Sequence, residues 1–116
     1  MKVAALAAAA VVILAPAAFA RTTETTTLVA TDGPGFTITL KEGAKNVTTL
    51  KAGTYTFKVE DKSSIHNFHL IGPGVNVKTS VVAVKTVIWT LKLKKGIYKY
   101  VCDPHATIMH GSFKVI

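Results

Sequence analysis

Cysteine, arginine and acidic side chains are all scarce in this chain of 116 residues. Cys102 is the only cysteine, so no disulfide can form within the chain. Nucleic-acid-binding modules usually combine a basic stripe with arginines and aromatic residues. Here the only arginine is Arg21, and the lysines are scattered through strand-like segments. Nucleic acid is therefore not a predicted partner. The net charge of +8 still favours an acidic protein partner through long-range attraction.

An apolar segment long enough to span a membrane is also missing. The apolar run at residues 3–14 follows a lysine and is interrupted by Pro16, whereas a transmembrane helix needs about 20 apolar residues. The ending Ala18-Phe19-Ala20 has the A-x-A form of a secretory cleavage site. We predict a signal peptide at residues 1–20, cleaved between Ala20 and Arg21. The mature protein would be exported, periplasmic or extracellular, with no membrane insertion.

The remaining residues, 21–116, have the length of one small domain, which can bury enough apolar surface to fold alone. We expect a monomer. An odd cysteine in an exported protein indicates intermolecular pairing or a free reactive thiol, and the oxidising space outside the cytoplasm would consume an unprotected one. Coordination of the thiol to a metal would resolve this conflict. An inert buried thiol is the simpler alternative.

Apolar and polar residues alternate with a period of two along the mature chain, and a helical period is almost absent. Residues 54–60 alternate in this way, and so does the second half of residues 87–93, as half-buried strands do. Turns rich in glycine and proline separate the segments at short intervals. The sequence therefore predicts an all-β domain of sandwich or barrel type. Two more strands are expected near residues 26–31 and 36–41. Residues 75–85 fit either an irregular loop or a strand through three valines: Val81, Val82 and Val84.

The last part of the chain is expected to form a hairpin and a return strand. Residues 91–93 and 97–102 would pair as antiparallel strands joined by a lysine-glycine turn. Residues 112–116 would then return as the final strand. Alternation puts three residues of the second hairpin strand on one face: Tyr98, Tyr100 and Cys102. The loop that begins at Cys102 would be held at both ends, so it could keep a fixed geometry.

That loop brings together the only cysteine, a histidine and a methionine: Cys102, His105 and Met109. A thiolate, an imidazole and a thioether are soft donors suited to Cu(I), while the imidazole keeps Cu(II) acceptable. A trigonal blue-copper site needs two histidines and one cysteine, with a long, weak axial methionine. His66, in the segment Ser64-Ile65-His66-Asn67-Phe68-His69, is the candidate for the second imidazole. The predicted cofactor is one copper ion.

With these residues the sequence resembles the cupredoxins, the blue copper proteins that include plastocyanin and azurin. The similar parts are His66-Asn67, a Tyr-x-Tyr-x-Cys-x-Pro-His run at residues 98–105 and Met-x-Gly-x-Phe at residues 109–113. The resemblance covers essentially the whole mature chain and implies an eight-stranded Greek-key β-sandwich with copper at one end. It implies four metal ligands: His66, Cys102, His105 and Met109. It also implies that Asn67 ties the His66 loop to the Cys102 loop by hydrogen bonds of the kind that orient ligands.

The spacing after His105 leaves two residues for the axial position. Three residues separate His105 from Met109, whereas related proteins with the same cysteine-to-histidine spacing place methionine after two or four. A loop that closes as in plastocyanin would put His110 at the axial position. Met109 is preferred because the Met-x-Gly ending is kept, and because azurin has the same spacing between its histidine and methionine.

Two other residues receive structural interpretations. His69 lies three positions from His66 on a strand and should face the other way, so we expect a histidine satisfied by its neighbours rather than a second metal site. Trp89 belongs to an alternating strand, which predicts core packing before any part in electron transfer.

A site with three strong protein ligands and one weak one has no open position for a substrate, which disfavours an enzyme. It can still change oxidation state. We therefore predict a small exported blue copper protein that carries single electrons between a donor and an acceptor redox protein. The resemblance implies that His105 is the electron port, inside an apolar patch to which Pro104, Ala106, Ile108 and the turn at residues 72–75 could contribute.

Two other functional classes use the same sequence features differently. A copper chaperone or copper-sequestering protein would use the same ligands but would surrender or store the metal. A metal-free sandwich used for adhesion would tolerate alanine at all four ligand positions. Exchange of copper with an acceptor distinguishes the first class from a carrier.

Overall fold

The computed structural model describes residues 8–15 and 24–116. Residues 8–15, within the predicted signal peptide, have no regular secondary structure and are exposed. The predicted cleavage between Ala20 and Arg21 lies outside the described residues. Within these ranges, the structure has no helix of the length and apolar character needed to cross a membrane.

The described chain is almost entirely β-structure, with a single turn of 3₁₀ helix at Asp103–His105. The strands are β1 Thr26–Asp32, β2 Ile38–Glu42, β3 Lys45–Asn46, β4 Thr49–Leu50, β5 Gly53–Asp61, β6 His69–Gly72, β7 Val75–Lys78, β8 Lys85–Leu93, β9 Gly96–Val101 and β10 His110–Val115. The all-β prediction is confirmed. Ten strand segments are present where the family resemblance implied eight, because β3 and β4 are pairs of residues at sheet edges.

The strands form two five-stranded sheets, in the orders β3-β2-β1-β5-β8 and β4-β10-β9-β6-β7. In the first sheet β1 runs parallel to β5, and in the second β10 runs parallel to β4. All other neighbours are antiparallel. This is the predicted Greek-key sandwich, in which strands that are adjacent in sequence often lie in different sheets.

Alternation along the strands fills the space between the sheets. On β5, Phe57 and Val59 are buried while Lys58 between them is exposed, as a period of two requires. Aromatic rings of the second sheet stack on one another in the core: Tyr98 stacks on Phe113 with centroids 5.2 Å apart, and Phe68, directly before β6, stacks on Tyr100 at 5.4 Å. Trp89 is partly buried against this core, in agreement with its predicted packing role.

The predicted hairpin of residues 91–93 and 97–102 is wrong. β8 pairs with β5 in the first sheet, whereas β9 pairs with β10 and β6 in the second. Leu93 and Tyr98 are both buried between the sheets, so the chain crosses from one sheet to the other instead of folding back. The Tyr98 hydroxyl accepts a hydrogen bond from the Lys94 backbone N–H at 2.9 Å and lies 3.0 Å from the Lys94 carbonyl, which stabilises the crossing.

Of the two alternatives for residues 75–85, the structure combines a short strand with a loop. Val75–Lys78 forms β7, and residues 79–84 have no strand. Val82 and Val84 are exposed, so the strand through the valines is not formed. This segment connects β7 in one sheet to β8 in the other, and a connection between layers has no neighbouring strand with which to pair.

Four connections gather at one end of the sandwich: residues 33–37, 62–68, 79–84 and 102–109. The first of them approaches the second closely at Gly33, which has a φ of +73°. A Cβ at this position would lie 2.9 Å from Ser63 Cβ and 3.3 Å from the His66 ring. Glycine thus allows the two connections to touch, both because of its positive φ and because it has no side chain.

Candidate metal centre

Cys102 is positioned by the end of β9. Tyr98, Tyr100 and Cys102 share the inner face of this strand and its continuation, as alternation predicted, and all three are buried. The Cys102 thiol is completely inaccessible to solvent. A strand that is paired on both sides, with β10 and with β6, therefore fixes the direction in which the sulfur points.

The loop after Cys102 is closed by its own backbone hydrogen bonds. The Cys102 N–H donates to the Met109 carbonyl at 3.0 Å, and the Met109 N–H donates to the His105 carbonyl at 2.8 Å. The His105 N–H donates back to the Cys102 carbonyl at 3.0 Å. Pro104 lies in the first turn of the 3₁₀ helix, where its fixed φ is compatible with the turn. The loop that holds Cys102, His105 and Met109 is consequently a compact unit.

Three donor atoms from two loops converge at this end of the sandwich. His66 Nδ1 and His105 Nδ1 lie 3.0 Å apart, and the Cys102 Sγ lies 3.6 Å from each of them. The point equidistant from the three atoms is about 2 Å from each, close to the lengths of zinc–nitrogen and zinc–sulfur bonds in proteins. A first-row metal ion therefore fits among His66, Cys102 and His105 without rearrangement of the backbone.

The chemistry of the three donors agrees with this fit. When both imidazoles carry their proton on Nε2, two nitrogen lone pairs and one sulfur face a common point. Two imidazoles and one thiolate form the trigonal set of blue-copper sites. His66 is fully buried, and its Nε2 has no hydrogen-bond partner within the described residues. An unpaired buried polar group costs about 1–3 kcal/mol, a cost that a metal–Nδ1 bond can offset.

Met109 and His110 differ in where their side chains lie. Met109 is completely buried, whereas His110 is exposed on β10. His110 is opposite Val101 in the β10–β9 ladder. A buried side chain at position 109 is compatible with the predicted axial thioether, whereas the exposure of His110 disfavours the alternative.

The comparisons with known proteins address the same residues. The profile of copper-binding proteins of the plastocyanin/azurin family matches residues 20–116, which is most of the chain. The chain belongs to this family. It is a cupredoxin. No curated protein sequence matches it significantly.

Solved structures of other cupredoxins share the fold. A methionine-to-glutamine mutant of rusticyanin is similar with a TM-score of 0.58 and 24% identity, over 79% of this chain and 78% of that one. Rusticyanin from Thiobacillus ferrooxidans gives 0.55 and 24%, over 79% and 77%. Auracyanin A, a blue copper protein from Chloroflexus aurantiacus, gives 0.55 and 18%, over 80% of this chain and all of that one. At such identities the likeness establishes the fold alone.

In this cupredoxin Asn67 joins the two ligand-bearing loops. Its Oδ1 accepts a hydrogen bond from the Asp103 backbone N–H at 2.8 Å, and its Nδ2 donates to Asp103 Oδ2 at 2.8 Å. Nδ2 also lies 3.3 Å from the Thr79 carbonyl. Asn67 is buried and is next to His66 in sequence, while Asp103 is next to Cys102. These contacts have the form that the resemblance implied for Asn67.

His69 does not contribute to the converging donors. Its Nδ1 lies 2.8 Å from Asp103 Oδ1, and its Nε2 lies 2.6 Å from Asn76 Oδ1. A histidine whose two ring nitrogens both have protein partners agrees with the structural interpretation of His69. The part of Asp103 in this network was not anticipated, although an acidic residue directly after the only cysteine is a signal that the sequence offered.

Phe36 was also missed. Its ring meets the rings of His66 and His105 edge to face, with centroids 5.2 Å and 5.0 Å apart, although it is 56% exposed. Such geometry is typical of stabilising aromatic contacts. The sequence signal was an aromatic residue directly after the Gly33-Pro34-Gly35 turn. Phe36 therefore covers the side of the site between the two imidazoles.

The turn at residues 72–75 does not contribute to an apolar patch around His105. Pro73 lies beside Gly96, and the Pro73 carbonyl is 3.1 Å from the Tyr98 hydroxyl. Both contacts are at the start of β9, whereas Cys102 follows the end of the same strand. The turn is consequently at the opposite end of the sandwich. Exposed apolar side chains at the metal end are instead Phe36, Ile65, Val82, Val84 and Ile108.

A pair of buried carboxyl groups lies at the same end as the ligands. Asp32 and Asp61 are opposite each other at the ends of β1 and β5, and both are buried. Burial, and then the neighbouring Asp61 carboxyl group, raise the pKa of Asp32 to about 8. The Thr79 hydroxyl lies 3.4 Å from Asp61 Oδ2 and accepts a hydrogen bond from the Phe68 N–H at 2.9 Å. Polar contacts thus extend from Asp61 through Thr79 to the backbone of Phe68, the residue after Asn67.

Proposed function

We propose that this cupredoxin is an exported blue copper protein that carries single electrons between redox proteins. The observation that supports the proposal is the convergence of His66 Nδ1, His105 Nδ1 and Cys102 Sγ within 3.0–3.6 Å. We assign these three residues as the strong copper ligands and Met109, buried at the end of the same loop, as the weak axial ligand. Asn67 holds the two loops in register.

Bound copper would supply reversible one-electron transfer, by changing between Cu(II) and Cu(I). The side chains alone cannot do this at moderate reduction potentials. The protein's part is to keep the donors in one arrangement in both states. Cys102 is fixed by a doubly paired strand, and hydrogen bonds between Cys102, His105 and Met109 close the loop. A donor set that is already assembled needs little movement when an electron arrives or leaves.

The same arrangement favours a carrier over an enzyme. Catalytic metal sites keep a coordination position for water or substrate, whereas the three strong ligands and the weak axial ligand proposed here would leave none. His105 is partly accessible, and the Phe36 and Ile108 side chains near it are 56% and 62% exposed. An apolar surface around the accessible ligand would let a partner approach the copper closely.

The partners are proposed to be a donor and an acceptor redox protein, at least one of them acidic. Without Lys2 of the predicted signal peptide, the net charge of +8 becomes about +7, which would still speed their encounter by long-range attraction, and the rate should then fall as salt is added. Export rests on the sequence of residues 1–20, and a monomer would leave the apolar end of the sandwich free for these partners.

The test is a redox cycle in which copper content is followed. Mature protein loaded with Cu(II) should show an intense blue thiolate band, bleach with ascorbate, recover on reoxidation and retain its copper beside a chelator. Met109→Leu should shift the band and the reduction potential, whereas the matched change His110→Gln should leave both unchanged. Transfer of copper to an acceptor protein during each cycle, or absence of the band with tight Cu(I) binding, would instead indicate copper delivery or storage.

A further inference from the structure

His69 is held at both ring nitrogens by side chains from two different parts of the fold. Nδ1 lies 2.8 Å from Asp103 Oδ1, in the loop after Cys102, and Nε2 lies 2.6 Å from Asn76 Oδ1, on β7. The His69 side chain is only 15% exposed. His69 thus connects β6 both to β7 and to the loop after Cys102.

The Asp103 carboxylate is shared between His69 and Asn67. Oδ1 faces His69, while Oδ2 accepts a hydrogen bond from Asn67 Nδ2 at 2.8 Å. Each oxygen of this carboxyl group thus has its own side-chain partner.

This network leads directly to the metal ligands. Asn67 follows His66 in sequence, and Asp103 follows Cys102. The Asp103 N–H donates to Asn67 Oδ1 at 2.8 Å, so Asn67 and Asp103 bind each other twice, once through the backbone and once through the carboxylate. Without His69, the Asp103 side chain would keep only Asn67 as a hydrogen-bonding partner and could rotate towards solvent, since it is 40% exposed.

We propose that His69 and Asp103 form a latch that fixes Asn67, and that His69 is therefore a positioning residue for the copper centre although it does not bind the metal. The latch fastens the His66 segment and the Cys102 loop to each other and to β7 through Asn76. Residues that orient metal ligands in this way typically contribute 10- to 100-fold to metal affinity. The inference rests on the metal site of the proposed function but makes a separate prediction about residues outside it.

The test is a double-mutant cycle with His69→Leu, Asp103→Ala and the double variant. Lys78→Gln is the matched control, because it removes a positive charge near Asp103 without removing either hydrogen bond. His69→Gln is the conservative variant, since its amide can still donate to Asp103. For each protein we would measure Cu(I) affinity by competition with a chromogenic chelator, the position of the Cu(II)–thiolate band, the reduction potential, and the stability of the metal-free protein in urea.

The latch predicts that His69→Leu and Asp103→Ala each weaken Cu(I) binding by roughly 10- to 100-fold and move the band and the potential. The double variant should bind Cu(I) no more weakly than Asp103→Ala alone, because without the Asp103 carboxylate His69 has no contact through which to act on Asn67. His69→Gln should recover much of the affinity, and Lys78→Gln should stay within about twofold of the unmodified protein.

Several results would overturn the latch. One is a folded His69→Leu variant with unchanged band, potential and affinity, even if its metal-free form is less stable, because that is a purely structural effect. Fully additive losses in the double variant are another. If His69→Leu does not fold, an Asp103→Ala variant with unchanged copper properties decides against the proposal. An unmodified protein without a blue band would contradict the electron-carrier function, while the Cu(I) affinities of the variants would still decide the latch.

Discussion

The two ends of the sandwich are built from different kinds of residue. The end opposite the metal site is closed by Tyr98, whose ring stacks on Phe113 and whose hydroxyl contacts the backbone of Lys94 and Pro73. At the metal end the chain buries polar and ionisable groups. All five buried polar or charged residues of the described chain lie there: Asp32, Asp61, His66, Asn67 and Thr79.

The difference shows which end of this small domain stabilises the fold and which end carries the reactive side chains. A buried aromatic stack with satisfied hydroxyl hydrogen bonds stabilises the fold without any ligand. A buried imidazole with an unpaired nitrogen, beside a buried thiol and two adjacent carboxyl groups, is costly unless something compensates for it. The metal end is therefore preorganised at the expense of stability. Replacing its polar groups should leave the stability of the metal-free protein nearly unchanged or raise it, whereas loss of the Tyr98 hydroxyl at the other end should lower that stability.

The largest difference between the effect on copper binding and the effect on protein stability should come from Cys102→Ser. Loss of the sulfur should abolish the blue band and tight copper binding, because the remaining donors are those of a harder, weaker site for Cu(I). The metal-free protein should unfold in urea within about 1 kcal/mol of the unmodified one, since the substitution is close to isosteric and leaves the loop hydrogen bonds in place. Retention of an intense thiolate-like band would show that Cys102 is not a ligand.

The carboxyl pair at the metal end should make stability depend on pH. The pKa of Asp32 is raised from 3.8 to about 8 in the folded protein, so the folded state binds more protons than the unfolded state between these values. Stability should consequently fall as pH rises from about 4 to 8, with a slope of at most about 1.4 kcal/mol per pH unit from this group.

Asp32→Asn tests this dependence. The variant keeps the shape of the side chain but cannot ionise, so it should be more stable than the unmodified protein at pH 8 and should lose most of that advantage at pH 4. Urea unfolding of the metal-free proteins at several pH values measures the difference. Identical pH profiles for the two proteins would mean that Asp32 carries no burial cost.

A smaller effect, confined to stability, is expected from Tyr98→Phe at the opposite end. The variant keeps the ring stacked on Phe113 but leaves the Lys94 N–H without its partner, which should lower the free energy of unfolding by about 1–3 kcal/mol. The blue band and the reduction potential should not change. If they do change, the two ends of the sandwich are energetically coupled, and the separation between them is weaker than the packing indicates.

Much of the fold was predictable because alternation is a local property. Phe57 and Val59 on one face, and Tyr98, Tyr100 and Cys102 on another, follow from the sequence and period two alone. Sheet membership does not. The sequence of residues 91–102 is compatible with a hairpin and also with a crossing between sheets. Which of the two forms depends on the burial of Leu93 and Tyr98 in a core formed with distant strands.

The metal site shows the same limit. His66, Cys102, His105 and Met109 could be chosen from donor chemistry and family resemblance, because the residue types themselves carry the signal. The contacts of Phe36 and of the His69–Asp103 pair depend on which connections meet in space, and no spacing encodes that meeting. For the same reason the turn at residues 72–75 was assigned to the wrong end: its apolar composition was visible, but its place depended on the direction of β6 and β9.

The most direct test of this account is a crystal structure of the copper-loaded protein, with anomalous data collected at the copper absorption edge. A single copper peak is predicted among His66 Nδ1, His105 Nδ1 and Cys102 Sγ, with the Met109 sulfur as a more distant fourth ligand and with His69, Asp103 and Asn67 in the contacts described above. A copper peak at His110 or His69, or a metal bound without the Cys102 sulfur, would contradict it.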